Sequence, residues 1–332
     1  MATRRELLAV SLLSCAGACA APRRRPVDVD QPDVLAGVGD SIVAFGRRFP
    51  IRAPVVLWTD PGGYDAYSPE LAFPQTPPLE PPQGLRFAPG RQRADGRLVT
   101  ISAGLAAGQE VVDQLVIHFD AAGTSRRCFR ILHDVRKLSS HFLLDLDGTI
   151  YQTLDLAETA WHARSANPRS VGIEIANIGA YPPGETDPID DWYVVDAQGA
   201  RIRIPAELGD GGVRVKEFVG RPARPQLVHG TIQGVELVQY DFTPEQLLSL
   251  ARLAAGITRA FPRIGLDAPR DPEGERDKGE VRREALSQAE LAGFRGILGH
   301  YHVTADKVDP GPAFDWEAFF VRLARERARP LT

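Results

Sequence analysis

Two short apolar runs constrain this chain more than any other feature. Leu115-Val116-Ile117-His118-Phe119 delivers an imidazole at its end, and Ser170-Val171-Gly172-Ile173-Glu174-Ile175-Ala176-Asn177 carries one carboxylate between apolar neighbours. Runs of this length and composition read as strands of a buried sheet. Taken alone, a histidine at a strand end is more often a hydrogen-bonded core residue. A carboxylate inside an apolar strand is harder to dismiss, because burying it is costly unless it is paired, metal-bound or functional.

A third segment gives these two a context. Gly299-His300-Tyr301-His302 and Lys307-Val308-Asp309-Pro310-Gly311-Pro312-Ala313-Phe314-Asp315-Trp316 place metal-ligand types, a lysine and a rigid Pro-Gly-Pro turn in one loop. Two histidines and one aspartate would make a three-ligand zinc site with an open fourth position. Such sites belong to hydrolases, in which the metal acidifies water and polarises the scissile carbonyl. The ammonium of Lys307, two residues before Asp309, would then stand where it can stabilise an oxyanion.

The 332 residues are 43% hydrophobic and 25% charged, which is globular composition and enough chain for one large domain or two small ones. The formal net charge of -4, without any long basic block, gives no electrostatic reason to expect a nucleic-acid partner. Residues 1–21 have a basic start, a short apolar run and small residues, and read as an export signal. Two finer readings stand open: Thr3-Arg4-Arg5-Glu6-Leu7-Leu8 is similar to a twin-arginine signal, while Cys15 or Cys19 would be the lipidated residue of a lipoprotein. The expected location is the periplasm or, as a lipoprotein, the outer membrane. The apolar run is too short to span a membrane, and no transmembrane segment is expected elsewhere. Cys128 remains after signal removal as a small buried hydrophobe, with no disulfide framework available.

Residues 22–110 read as a tether followed by an N-terminal extension of irregular β structure, broken by Asp60-Pro61-Gly62-Gly63 and by the stretch Pro74 to Pro82. The core domain is expected over 111–328. It would hold a helix around Arg126 to Val135 and a hairpin whose strands, Phe142 to Asp145 and Thr149 to Thr153, are joined through Asp147-Gly148. An insertion rich in Gly, Pro and Asp spans about 180–240. A helix then starts at Thr243-Pro244, with Gln246 completing a capping box. A strand over Gly296 to His300 and a closing helix from about Phe314 to Arg327 end the domain.

In this order the motifs resemble the zinc-dependent N-acetylmuramoyl-L-alanine amidases related to phage lysozyme-type amidases and peptidoglycan recognition proteins. The stretches that carry the resemblance are Val116-Ile117-His118; Ser139-Ser140-His141-Phe142-Leu143-Leu144-Asp145 with Asp147-Gly148-Thr149-Ile150-Tyr151-Gln152; Ala160-Trp161-His162-Ala163; Asn167 with Ser170 to Glu174; and Gly299-His300 with Lys307 to Trp316. The resemblance implies a mixed α/β fold, a central mixed β-sheet flanked by helices. It implies one Zn2+ per chain held by His118, His300 and Asp309, with Glu174 as general base and Lys307 steadying the oxyanion. His141, Trp161, His162 and Asn167 would bind substrate, His141 either lining the cleft or serving structure. The implied substrate is peptidoglycan or its muropeptides, cut between N-acetylmuramic acid and L-alanine.

The chain departs from the family pattern where His302 stands in place of a common acidic residue, which leaves His302 as an alternative to His300; Gly299 aligns His300 with the strand end. His133 and His229 are expected to be ordinary helix or surface residues. Two other functions remain: a peptidoglycan-binding module without catalysis, and a zinc amidase acting on a different amide.

Overall fold

In the computed structural model the described residues are 38–73, 80–271 and 279–330, and the export segment, both of its cysteines and most of the tether lie outside them. The apolar runs assemble a seven-stranded mixed sheet. Its strands are β1 (Gly39–Ala44), β2 (Arg47–Leu57), β3 (Gln114–Phe119), β4 (Phe142–Leu144), β5 (Ile150–Gln152), β6 (Ser170–Ile175) and β7 (Gly296–Gly299), in the spatial order β1-β2-β5-β4-β6-β3-β7. β4, β6, β3 and β7 run parallel to one another, and β4–β5 and β1–β2 are antiparallel pairs.

The period-two alternation of strand side chains sorts the core into two faces. Leu115, Ile117, Phe142, Leu144, Ile173, Ile175 and Ile297 pack with Leu250, Leu253, Ile257, Phe319 and Leu323 of two helices, α2 (Pro244–Ala260) and α3 (Trp316–Ala328). The opposite face buries Val56, Leu143 and Tyr151 with Cys128 and Phe129 of α1 (Ser125–Phe129) and with Tyr64, Ala66 and Phe87 of the extension. Val116 and Leu298 share that second face with Ala163, Ala166 and Leu291. By the same alternation His118 and Glu174 point to the second face, side by side, since the two are register partners across the parallel pair β3–β6.

Local chemistry sets the boundaries. Thr243 and Gln246 close the expected capping box on α2. Leu144 pairs with Ile150 across the Asp147-Gly148 turn, with Gly148 at φ +82°. The helix expected over Arg126 to Val135 is α1 continued by a wider, π-type turn over Arg130–Val135.

The sheet begins in the extension. β2 pairs in parallel with β5, so Gly39–Leu57 completes the sheet on the side away from β7. Residues of the 180–240 insertion form two hairpins, Tyr193–Asp196 with Gly199–Ile202 and Val228–Ile232 with Val235–Gln239. Among the described residues no helix is long and apolar enough to cross a membrane.

Candidate active site

Parallel strands aim their C-terminal ends at one edge of the sheet, where open α/β sheets place ligands. His118 near the end of β3, Glu174 of β6 and His300, directly after β7, meet there. Asp309 is brought back by the loop that follows the helical turn His300–Val303. Its peptide oxygen accepts from Tyr301 N at 3.1 Å, which ties the loop to that turn.

His118 Nδ1 lies 2.8 Å from Asp309 Oδ2 and 3.1 Å from His300 Nδ1, and His300 Nδ1 lies 3.1 Å from Asp309 Oδ2. Tetrahedral zinc, with bonds of 2.0–2.1 Å, sets its donor atoms roughly 3.3 Å apart. The three atoms therefore already face a common point with nearly the required spacing, and they form the one such group of His, Cys and carboxylate side chains among the described residues. Burial lowers the His118 pKa to about 4, with His300 adding to the effect, so its imidazole is neutral at pH 7 and free to coordinate. Burial opposes ionisation of Asp309, yet the His300 charge and hydrogen bonds from His118 and His300 hold its carboxyl well below the usual range.

Glu174 has its Oε1 3.9 Å from His118 Nδ1 and its side chain 11% exposed. Desolvation, then the charges of Asp309 and Asp120, push its pKa well up, while Lys307 pulls the other way. A buried carboxylate with a raised pKa beside a ligand set has the properties of a proton carrier. Lys307 is half-buried and acts electrostatically on both His118 and Glu174.

His302 does not join the group. Its Nδ1 accepts from Gly299 N at 2.9 Å and its Nε2 faces Arg282 O at 2.7 Å, so it spends both nitrogens on pinning the turn that carries His300. Of the two histidines, His300 is the one grouped with His118 and Asp309.

The substrate-binding set divides. Trp161 and His162 are half-buried, and His162 reaches the site, its Nδ1 3.0 Å from His118 Nε2. Asn167 braces their loop, its Oδ1 accepting from His162 N at 3.1 Å and Ala163 N at 2.6 Å. His141, expected either to line the cleft or to serve structure, is fully buried. Its Nδ1 accepts from Gly172 N at 3.0 Å, and its Nε2 lies 2.8 Å from Arg91 Nη2 and 3.1 Å from Glu158 O. Burial, then the nearby Arg91, hold its pKa well below the ordinary value. His133 lies in a helical segment and is wholly buried, its Nδ1 2.7 Å from Asp134 and its Nε2 3.0 Å from Ser68 O of the extension. His229 is exposed in the insertion hairpin, as expected.

Several supporting residues escaped the sequence reading. Arg91, wholly buried, donates to Leu156 O, Asn167 O and Ser170 O. Gln233 donates to Tyr301 O at 2.7 Å and Gln239 to Pro310 O at 3.3 Å, so the insertion clamps the loop of His300 and Asp309. Gly311, at φ +85°, lies so close to Gln239 that a Cβ there would fall 2.1 Å from its Oε1. Gly172 has a similar reason, since a Cβ would meet His162 Nδ1 at 2.5 Å.

Fold and site together define a mixed α/β protein with a candidate metal centre at the C-terminal ends of parallel strands. Residues 108–208 match the model of the N-acetylmuramoyl-L-alanine amidase family. The match contains His118, His141, Trp161, His162, Asn167 and Glu174; His300, Lys307 and Asp309 lie beyond it and are joined to it by the geometry above. The search of curated proteins found no match to this chain. Among solved structures, a selenomethionine derivative of AmpD is 17% identical, with a TM-score of 0.32, over 65% of this chain and 87% of its own. The E. coli N-acetylmuramyl-L-alanine amidase AmiD, in complex with anhydro-N-acetylmuramic acid-L-Ala-D-gamma-Glu-L-Lys, is 19% identical, with a TM-score of 0.35, over 70% of this chain and 65% of its own. The endolysin LysCS of Clostridium intestinale URNW is 16% identical, with a TM-score of 0.32, over 65% of this chain and 86% of its own.

Proposed function

We propose that this protein is a zinc-dependent N-acetylmuramoyl-L-alanine amidase. It would hydrolyse the amide between the lactyl group of N-acetylmuramic acid and L-alanine in peptidoglycan or its fragments, after export. The observation that carries the reading is the convergence of His118, His300 and Asp309 on one point, with Glu174 3.9 Å from His118.

Two imidazoles and one carboxylate suit zinc and leave a position open. A zinc ion held by His118, His300 and Asp309 would supply Lewis acidity to the attacking water and the scissile carbonyl. The chain's own groups do the rest. Glu174 takes a proton from the water at its carboxylate, and its raised pKa lets it return that proton to the leaving amide nitrogen. Lys307 brings a positive charge to the oxygen on which negative charge develops. His162, in the loop braced by Asn167, stands beside this centre.

The test is mass spectrometry of purified muropeptides incubated with the protein, before and after chelation and zinc readdition. Release of free peptide beginning with L-alanine, lost on chelation and restored by zinc, is the expected result. Muropeptides that stay intact under every condition would overturn the reading and favour binding without cleavage, or another amide.

A further inference from the structure

The side of His118 turned away from the ligand group has a partner of its own. His118 Nε2 lies 3.0 Å from His162 Nδ1, and His162 Nε2 lies 3.1 Å from Ser170 Oγ. The two rings meet edge to face, 5.2 Å apart at 79°. Ser170 is fixed in turn, its carbonyl accepting from buried Arg91 at 2.6 Å. The His162 ring sits over Gly172, the residue that leaves it room.

Only one arrangement of protons suits this chain when His118 serves as a ligand. Nδ1, which faces Asp309 and His300, must then be bare, so the proton resides on Nε2. His162 Nδ1 must accept it, and its own Nε2–H must be given to Ser170 Oγ. Each atom finds the partner its role requires. Metal-ligating histidines are held in tautomer and orientation by an acceptor of this kind, whose removal weakens metal binding about 10- to 100-fold.

We propose that His162 is a positioning residue for the metal: as acceptor for His118 Nε2–H, and anchored by Ser170, it fixes the tautomer and ring direction in which His118 coordinates. This inference rests on the metal reading of His118, His300 and Asp309, and it gives His162 a role other than lining the substrate cleft. It also gives the extension a part in the site, since Arg91 holds the Ser170 end of the chain.

The experiment is competition for Zn2+ between the full chain and a chromophoric chelator, for the wild type, His162→Phe, His162→Asn and Ser170→Ala. Phenylalanine keeps a ring over Gly172 but removes the acceptor. Asparagine loses the ring but keeps an oxygen where Nδ1 stood. Zinc affinity should fall about 10- to 100-fold in His162→Phe. His162→Asn should stay within a few-fold of wild type, and Ser170→Ala should lie between. A need for packing alone would reverse the first two. Wild-type affinity in His162→Phe, or an asparagine variant as weak as the phenylalanine one, overturns the inference and leaves the metal site standing. A wild type that binds no zinc overturns the metal reading itself. Should His162→Phe fail to fold, Ser170→Ala decides, since unchanged affinity there removes the anchor from the argument.

Discussion

The two halves of the sheet on either side of β6 both bury polar side chains, and they use them in opposite ways. In β1, β2, β5 and β4 and the turns that join them, three buried polar side chains are spent on the backbone. Asp155 accepts from Phe45 N, Gly46 N and Ala157 N; Asp147 from Thr149 N, Arg214 N and Val215 N; Gln152 is bonded to Val43 N and O. In β6, β3 and β7 the buried polar groups face one another: His118 meets Asp309, His300 and His162, and Glu174 stands beside them. Burial of a polar residue therefore does not mark a site. The partner does, because a carboxylate surrounded by backbone N–H groups is satisfied, whereas side chains that converge on each other leave a position for something else.

The largest effect expected from this contrast is at Glu174. Glu174→Ala should lower turnover of muropeptides by about 10²- to 10⁴-fold, the usual share of a general base, while zinc stays bound. Mass spectrometry and metal analysis on the same sample read both quantities. Full turnover would place the proton transfer elsewhere and remove Glu174 from the converging half.

Lys307→Met should follow, with a loss of roughly 10²- to 10³-fold in kcat, the range found when one donor to an oxyanion is removed. Steady-state kinetics on a defined muropeptide would show it, with KM changed much less. A variant altered only in KM would make Lys307 a binding group instead.

The other half should respond in stability. Asp155→Ala leaves three backbone N–H groups without their acceptor, two of them at 2.7 Å in the present structure, and each orphaned group costs about 1–3 kcal/mol. Denaturant unfolding should show a loss of at least about 3 kcal/mol, with zinc stoichiometry unchanged in the folded fraction. Loss of metal without loss of stability would erase the distinction between the halves.

What could be read from the sequence follows the same division. The strands of His118 and Glu174, the capping box at Thr243 and the Asp147-Gly148 turn are local patterns, and the ligand set was visible because His300, Lys307 and Asp309 share one short loop. The remainder depends on partners far away in the chain. Gly39–Leu57 looked like an irregular prelude because β2 finds its neighbour, β5, only about a hundred residues later. His141 and His162 looked alike as histidines of a cleft motif. Only the register that sets Gly172 against one ring and the His118 imidazole against the other separates a buried brace from a residue of the site. Arg91 carried no signal at all, since a charged side chain in a Gly-Arg-Gln turn gives no hint that it will be wholly buried.

The last expected effect tests the structural half through its charge. Asp145 is wholly buried; its Oδ1 accepts from Ser125 N and Leu146 N, and its Oδ2 has no partner. Burial, with Asp147 adding, raises its pKa from 3.8 to about 8. Between those values the folded protein holds a proton that the unfolded chain has released. The stability this group confers is thus complete below the unfolded value and declines as pH rises toward the folded one, by at most about 1.4 kcal/mol per pH unit. Asp145→Asn keeps the Oδ1 acceptor and cannot ionise. Its melting temperature should match the wild type near pH 4, where both side chains are neutral, and exceed it increasingly toward pH 8. A gap that does not grow with pH would mean that the carboxylate is paired after all, and that the Asp145 turn belongs with the converging half.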